Sequence, residues 1–247
     1  MTAGEFAVAG LAVILVGVSK AGFGGGAASL ATPMIALVLP PREAVGILLP
    51  LLILSDILSV FHYRKEWVLR PLLLAAPGCV VGVAIGSLLF GAISDTLLQR
   101  IIGGICLLFC GIQWLRTKIL ALEAGLRPNW FNGSVAGTCA GLTSTLAHAG
   151  GPPMAMYLLP QRLPPRTYMA VTVLFFTFLN AIKVPPYLTH GLIRMETLKT
   201  TLVLSPFILA GTALGLWSNR HLSAAAFTKI IYVMLFVSGC KLLFFPG

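Results

Sequence analysis

Three ionisable residues lie inside apolar stretches of the sequence, where charged groups are rare. Lys20, Asp56 and His148 are each surrounded by runs of aliphatic and small residues. An ionisable group at membrane depth is expensive, so it marks a substrate path, a proton relay or a buried pair. Lys20 is suited to attracting an anion, and His148 to exchanging a proton near neutral pH. Asp56 is suited to proton coupling or to pairing with Lys20.

Each of these residues also has a purely structural interpretation. Lys20 can snorkel to a nearby interface, His148 can be a neutral core residue, and Asp56 can form a packing interaction with no role in transport. The residue types alone do not decide between a functional and a structural role for these three. A fourth ionisable residue, Lys183, lies near the end of an apolar segment and close to Pro185, and we expect it to snorkel.

Two glycine-rich breaks stand beside Lys20 and His148. Residues 22–26 read G-F-G-G-G, and residues 150–153 read G-G-P-P. Glycine lets a helix stop and restart, and proline fits the first turn of the new helix. Paired breaks of this kind indicate a transporter's binding site, because the helix N-termini that they create attract anions. The structural interpretation is close helix packing at a glycine patch.

The apolar pattern that must position these residues contains six spanning segments and two interrupted ones. The interrupted stretches, residues 5–39 and 131–159, are too long for one straight crossing of about 20 residues and too short for two. We therefore expect two half-length helices that meet at each break. The predicted spanning segments are residues 44–61, 68–90, 97–115, 168–183, 198–217 and 227–245.

The order of these elements repeats along the chain. Residues 39–42 and residues 163–166 both read L-P-P-R, an offset of 124. The same offset places Asp56 on Asn180. Duplication is therefore expected, with polar groups at matching positions of the two halves.

Glycine pairs repeat as well, at an offset of 129: Gly82-xxx-Gly86 corresponds to Gly211-xxx-Gly215. Such small-xxx-small surfaces predict close packing between membrane helices. We expect two repeats, at about residues 5–116 and 129–245, each with a glycine-broken hairpin and three spanning helices. Segment lengths favour inverted repeats. The distribution of basic loop residues favours neither the inverted nor the parallel arrangement.

Composition restricts the class of protein. The 247 residues are 57% hydrophobic and 10% charged, with a mean hydropathy of +0.95, which predicts an all-α polytopic membrane protein made of one integral domain, residues 1–247. The net charge of +10 is scattered over short loops, so nucleic-acid binding is rejected. The sequence contains no Walker motif, nucleophile elbow or intramembrane metal motif. We expect neither an enzyme nor a cofactor or metal.

Four motifs together resemble the TauE/SafE sulfite exporter family, also called the 4-toluene sulfonate uptake permease family. The resemblance implies a multi-pass protein of the bacterial inner membrane that moves a small sulfur oxyanion or organosulfonate, such as sulfite or sulfoacetate. It does not select the anion. His148 and the double proline differ from the usual second-repeat motif, Gly-Ile-Gly-Gly-Gly-Pro, which leaves the protonation behaviour of the site open. The motifs are residues 22–26, 39–46, 63–64 and 148–153.

These observations predict a secondary active transporter of a small anion, bound between the two breaks at mid-membrane. The alternative is an anion channel that uses the breaks as a selectivity filter. Expected partners are the anion, protons and the lipid bilayer, and the sequence is compatible with an oligomer. Asp56 and His148 are the candidates for proton coupling. The candidates for substrate binding are Ser19, Lys20, Gly24, Gly25, Gly26, Thr145, His148, Gly150, Gly151 and Asn180.

Overall fold

Every element that the computed structural model describes is a helix, as the sequence predicted. The described residues are 3–22, 31–123, 128–218 and 224–245. A single 3₁₀ turn, Leu159–Gln161, joins the seventh and eighth helices. The α-helices are α1 (Ala3–Gly22), α2 (Ala31–Ile35), α3 (Pro41–Tyr63), α4 (Leu69–Ala92), α5 (Asp95–Glu123), α6 (Trp130–Ala147), α7 (Gly151–Leu158), α8 (Pro165–Thr189), α9 (Met195–Ser218) and α10 (Ala224–Phe244).

Six of these helices are long and apolar enough to cross a membrane. They are α1, α3, α4, the first part of α5 (Asp95–Ile112), α8 and α9, and α10 adds a shorter apolar stretch, Tyr232–Phe244. Five of them, α3, α4, α5, α8 and α9, coincide with spanning segments expected from the sequence. Helix α1 was expected as half of an interrupted segment instead, and the expected span 227–245 corresponds to α10, where the apolar stretch is shorter. The chain is a multi-pass, all-helical membrane protein.

The interrupted segments differ from the prediction of two half-length helices. Helix α1 has 20 residues and α6 has 18, whereas the helices that follow them, α2 and α7, have 5 and 8. At about 1.5 Å per residue, a helix as long as α1 spans roughly the 30 Å of the hydrocarbon core. The arms are unequal because apolar, helix-compatible sequence continues up to each break. The second interrupted segment therefore consists of a long helix, α6, followed by a short one, α7.

Helices α3 and α8 cross in opposite directions. Asp56, in the middle of α3, is hydrogen-bonded to Asn180 in α8. Tyr63, at the end of α3, packs in one cluster with Met169 and Ala170, near the beginning of α8. Higher residue numbers in α3 therefore meet lower numbers in α8, and the two helices are antiparallel.

Glycines bring two further helix pairs into backbone contact, α4 with α6 and α1 with α9. A Cβ at Gly86 would lie 2.8 Å from the Cβ of Thr145, and a Cβ at Gly215 would lie 2.6 Å from the carbonyl oxygen of Val18. Real Cβ atoms do not approach so closely, so only glycine fits. The close packing predicted for the two small-xxx-small pairs is confirmed, and the other two members, Gly82 and Gly211, make similar approaches to α6 and α1.

Candidate functional site

The last turn of α1 contributes Lys20 to a buried ion pair with Asp56 of α3. Lys20 Nζ lies 2.7 Å from Asp56 Oδ1 and donates a hydrogen bond to the carbonyl oxygen of Leu52 at 2.9 Å. Asn180 Nδ2 donates to the second carboxylate oxygen, Oδ2, at 2.7 Å. Three helices, α1, α3 and α8, therefore meet at one carboxylate.

A second polar group lies one turn further along α8. Lys183 Nζ is 3.0 Å from Ser144 Oγ, 3.4 Å from the Ser144 carbonyl oxygen and 3.0 Å from His148 Nδ1. Three acceptors match the three hydrogens of an ammonium group. All three are neutral groups. Within the described part of the chain, no carboxylate is at ion-pairing distance from Lys183.

These two groups form one site, the buried charge cluster, defined as Lys20, Asp56, His148, Asn180 and Lys183. Asn180 and Lys183 share a face of α8, because residues three apart are neighbours on a helix. Each of the five side chains is at most 3% exposed, so the cluster is closed to solvent. It contains two amines and one carboxylate. Such an arrangement can hold an anion, and it places a histidine where a proton can be exchanged.

The contacts of His148 assign its tautomer. With Lys183 as an ammonium, which can only donate, Nδ1 is the acceptor. Its Nε2 lies 3.0 Å from the carbonyl oxygen of Val45 and donates to it. The ring is therefore the neutral Nε2–H form in this arrangement. It connects α6 to the beginning of α3 as well as to α8.

Local sequence explains why α6 ends at this point. His148 has a left-handed backbone conformation with φ of +50°, and its N–H bonds back to the carbonyl oxygen of Ser144. A Cβ at Gly150 would lie 2.8 Å from the carbonyl oxygen of Ala140, so glycine lets α7 start close to α6. Pro152 and Pro153 occupy the first turn of α7, where a missing N–H costs nothing.

Four of the remaining predicted site residues are described by the structure, and none of them is a member of the cluster. Ser19 is buried beside Lys20, and Gly150 and Gly151 are buried at the start of α7. The hydroxyl of Thr145 donates to the Gly141 carbonyl of its own helix, so it is not directed at the cluster. Gly24, Gly25 and Gly26 lie outside the described residues.

Lys183 is the residue for which the prediction from the sequence is wrong. Its position near Pro185 predicts snorkelling, but its side chain is completely buried. The nearby prolines do not end the segment, because α8 continues through Pro185 to Thr189. Two signals in the sequence point to Lys183. It shares a helix face with Asn180, and its partner Ser144 stands 124 residues after Lys20, which is the repeat offset.

Comparison with known proteins gives one match. The family model described as sulfite exporter TauE/SafE matches residues 9–242, nearly the whole chain. Neither the search of curated proteins nor the search of solved structures returned a significant match.

Proposed function

The chain belongs to the TauE/SafE sulfite exporter family, and on that premise we propose that it is a secondary active transporter of a small sulfur anion bound at the buried charge cluster. The family is one of membrane transporters for sulfite and related anions. The proposal includes the binding site, the class of transport and the location of the protein in the cell inner membrane. The anion is a sulfur oxyanion or organosulfonate, of the sulfite or sulfoacetate type.

The excess of buried positive charge carries the proposal. Asp56 balances Lys20, and the second ammonium, Lys183, is surrounded by neutral acceptors. An ammonium without a counter-charge in a low-dielectric interior is costly, and a bound anion would stabilise the protonated form of Lys183 by supplying that negative charge. Anion binding is therefore favoured at Lys183, with Asn180 and Ser144 as neighbouring hydrogen-bonding groups.

The fold supports two repeats of opposite orientation. A two-fold axis in the membrane plane reverses each helix relative to its mate, so antiparallel α3 and α8 are what inverted repeats require. Under the same exchange α1 corresponds to α6 and α9 to α4, and α1 packs on α9 as α6 packs on α4. The cluster lies at the crossing of α3 and α8, where alternating access would expose it to each side in turn.

Proton coupling is assigned to Asp56 and His148. Both are buried and both contact a lysine, so a change in the protonation of either one alters the charge available to the anion. A membrane-buried acid or histidine of this kind is typical of proton relays. The gradient that drives transport would then be one of protons or of the anion itself.

The proposal is tested by anion-dependent thermal stabilisation of the purified protein. Sulfite, sulfate, thiosulfate, sulfoacetate, taurine and chloride are compared on wild type, Lys183→Gln and Lys199→Gln. A ligand that binds only the folded state stabilises it by about 2.7 kcal/mol at a hundredfold excess over its dissociation constant. We expect one or more sulfur anions to stabilise wild type and Lys199→Gln, because Lys199 is an exposed lysine of α9. Lys183→Gln should lose the effect.

Equal stabilisation of Lys183→Gln and wild type would contradict the site. Exchange of labelled against unlabelled anion in proteoliposomes then separates a transporter from a channel. A transporter with an occluded site gives saturable counterflow, whereas flux that does not saturate and shows no exchange would favour the channel.

A further inference from the structure

We propose that Tyr63 and Tyr187 are the two gates of the buried charge cluster, each closing it toward one face of the membrane. This inference rests on the proposed function, because it assigns the residues that would control access to that same site. It concerns two tyrosines that lie at opposite ends of the α3–α8 crossing.

The two tyrosines make equivalent hydrogen bonds. Tyr63 donates its hydroxyl to the carbonyl oxygen of Ala21 at 3.0 Å, and Tyr187 donates its hydroxyl to the carbonyl oxygen of Thr145 at 2.6 Å. The donors are 124 residues apart, and so are the acceptors. The offset of the two L-P-P-R motifs therefore also relates Tyr63 to Tyr187 and Ala21 to Thr145.

Each bond ties α3 or α8 to the last turn of a helix that ends near a glycine-rich motif. Ala21 is in the last turn of α1, directly after Lys20, and Thr145 is in the last turn of α6, directly after Ser144. Tyr63 thus holds α3 against α1 beside one lysine of the cluster. Tyr187 holds α8 against α6 beside the serine that binds the other lysine.

A water-accessible cavity lies on the outer side of Tyr63. The cavity has a volume of about 260 Å³, and its lining includes Tyr63, three basic residues, Arg64, Lys65 and Arg166, and one acidic residue, Glu66. The Lys20–Asp56 pair lies on the inner side of the same tyrosine, about two turns earlier in α3. Tyr63 is therefore the layer between a basic vestibule and the cluster.

Tyr187 has a corresponding position at the other end. Its ring lies 6.0 Å, centroid to centroid, from the ring of His148 and also 6.0 Å from the ring of Phe90. Phe90 in turn contacts His190, which lines a cavity of about 270 Å³ with Arg42 and Arg194. Ring contacts therefore lead from the cavity through His190, Phe90 and Tyr187 to His148 of the cluster.

Two closed gates account for the complete burial of the cluster, and opening one gate at a time would give alternating access. Removal of one hydroxyl should release one gate and leave the other in place. The substitution to phenylalanine is suitable because it keeps the ring and removes only the donor.

Side-specific thiol labelling tests the two gates. In a variant without the five native cysteines, Ser59→Cys reports on the Tyr63 end and Ser144→Cys on the Tyr187 end. A membrane-impermeant thiol reagent is applied to each face separately. We expect Tyr63→Phe to raise the labelling rate of Cys at 59 from its own face only, by roughly two- to tenfold, the factor by which one hydrogen bond shifts an equilibrium. Tyr187→Phe should do the same for Cys at 144 from the opposite face.

Tyr232→Phe, which removes a hydroxyl from α10, is the matched control and should change neither rate. Labelling that is unchanged, or that rises equally from both faces, would overturn the gates. If Tyr187→Phe does not fold, Tyr63→Phe alone decides, because a rise at its own face is expected independently. Sulfite-dependent stabilisation is measured on Tyr63→Phe and Tyr187→Phe with the native Ser59 and Ser144 in place, because Ser144 contacts Lys183. Side-specific labelling without any anion effect would support the gates and reject the substrate, whereas anion binding with unchanged labelling would reject the gates alone.

Discussion

At the scale of single residues, the two lysines of the cluster have different surroundings. Lys20 contacts a carboxylate and a carbonyl oxygen, so its charge is balanced within the protein. Lys183 contacts a hydroxyl, a carbonyl oxygen and a neutral imidazole. We infer that the Lys20–Asp56 pair fixes the geometry of α1 against α3, while Lys183 is the ammonium that an anion can neutralise.

Removing one member of the buried pair should be far more damaging than removing both. Asp56→Asn or Lys20→Gln leaves a buried partner without compensation, and we expect each to lower the free energy of unfolding by about 3–5 kcal/mol. The double variant leaves no unpaired charge, and we expect it to lose less than either single variant. SDS-induced unfolding of the purified protein measures all three.

Asp95→Asn is the control for that experiment. Asp95 pairs with Arg42, but the two side chains are 53% and 31% exposed, so their pair should contribute only about 0–1 kcal/mol. Losses at Asp56 as small as those at Asp95, or losses that add fully in the double variant, would contradict a buried ion pair.

At residue level, the rarity of charged groups in apolar runs was the informative signal, while the roles predicted for these residues in anion binding and proton coupling stay predictions. A lysine, an aspartate and a histidine in apolar runs are conspicuous, and Lys20, Asp56 and His148 do meet in one cluster. Lys183 was misassigned because the depth of a side chain depends on where its helix ends. The proline pair suggested an end that the structure does not have there. Pairings such as Lys183 with His148 depend on a tertiary arrangement that no local pattern specifies.

At the scale of elements, glycine determines which helices approach closely. Gly137 of α6 faces the backbone of α4, where an added Cβ would meet the Ala75 carbonyl oxygen and lie 2.9 Å from the Cys79 nitrogen. Helix positions were predictable because apolar length and helix-compatible composition set them. The unequal helix lengths in the interrupted segments could not be predicted, because the length of an apolar segment does not determine where its helix ends.

Two glycine substitutions should therefore have opposite effects. Gly137→Ala forces α6 away from α4, and we expect it to lower the free energy of unfolding by about 1–3 kcal/mol or more. Gly104 of α5 has no atom within 4 Å of an added Cβ. Gly104→Ala should instead raise stability by about 0.5–1 kcal/mol, because alanine is the better helix former. Unfolding of the two variants under identical conditions provides the comparison, and equal effects would refute close packing at Gly137.

At the scale of the whole molecule, the arrangement of helices is what positions the cluster. Antiparallel α3 and α8 bring Asp56 next to Asn180, although the two residues are 124 positions apart. The L-P-P-R motifs and the offset could be read from the sequence, and they indicated duplication. The relative direction of the halves could not, because loop charges on both sides satisfied either arrangement.

Inverted repeats place the ends of α3 and α8 on opposite faces of the membrane, whereas parallel repeats place them on the same face. Single-cysteine labelling distinguishes the two arrangements. Lys65 follows α3, and Thr189, its counterpart 124 residues later, ends α8. Because α3 and α8 are antiparallel, we expect Lys65→Cys and Thr189→Cys to react with an impermeant reagent from opposite faces. Arg166→Cys is the internal control, since Arg166 shares a cavity with Lys65 and must label from the same face. Labelling of positions 65 and 189 from one face would instead require parallel repeats. It would also remove the reason for placing Tyr63 and Tyr187 at opposite ends of the site.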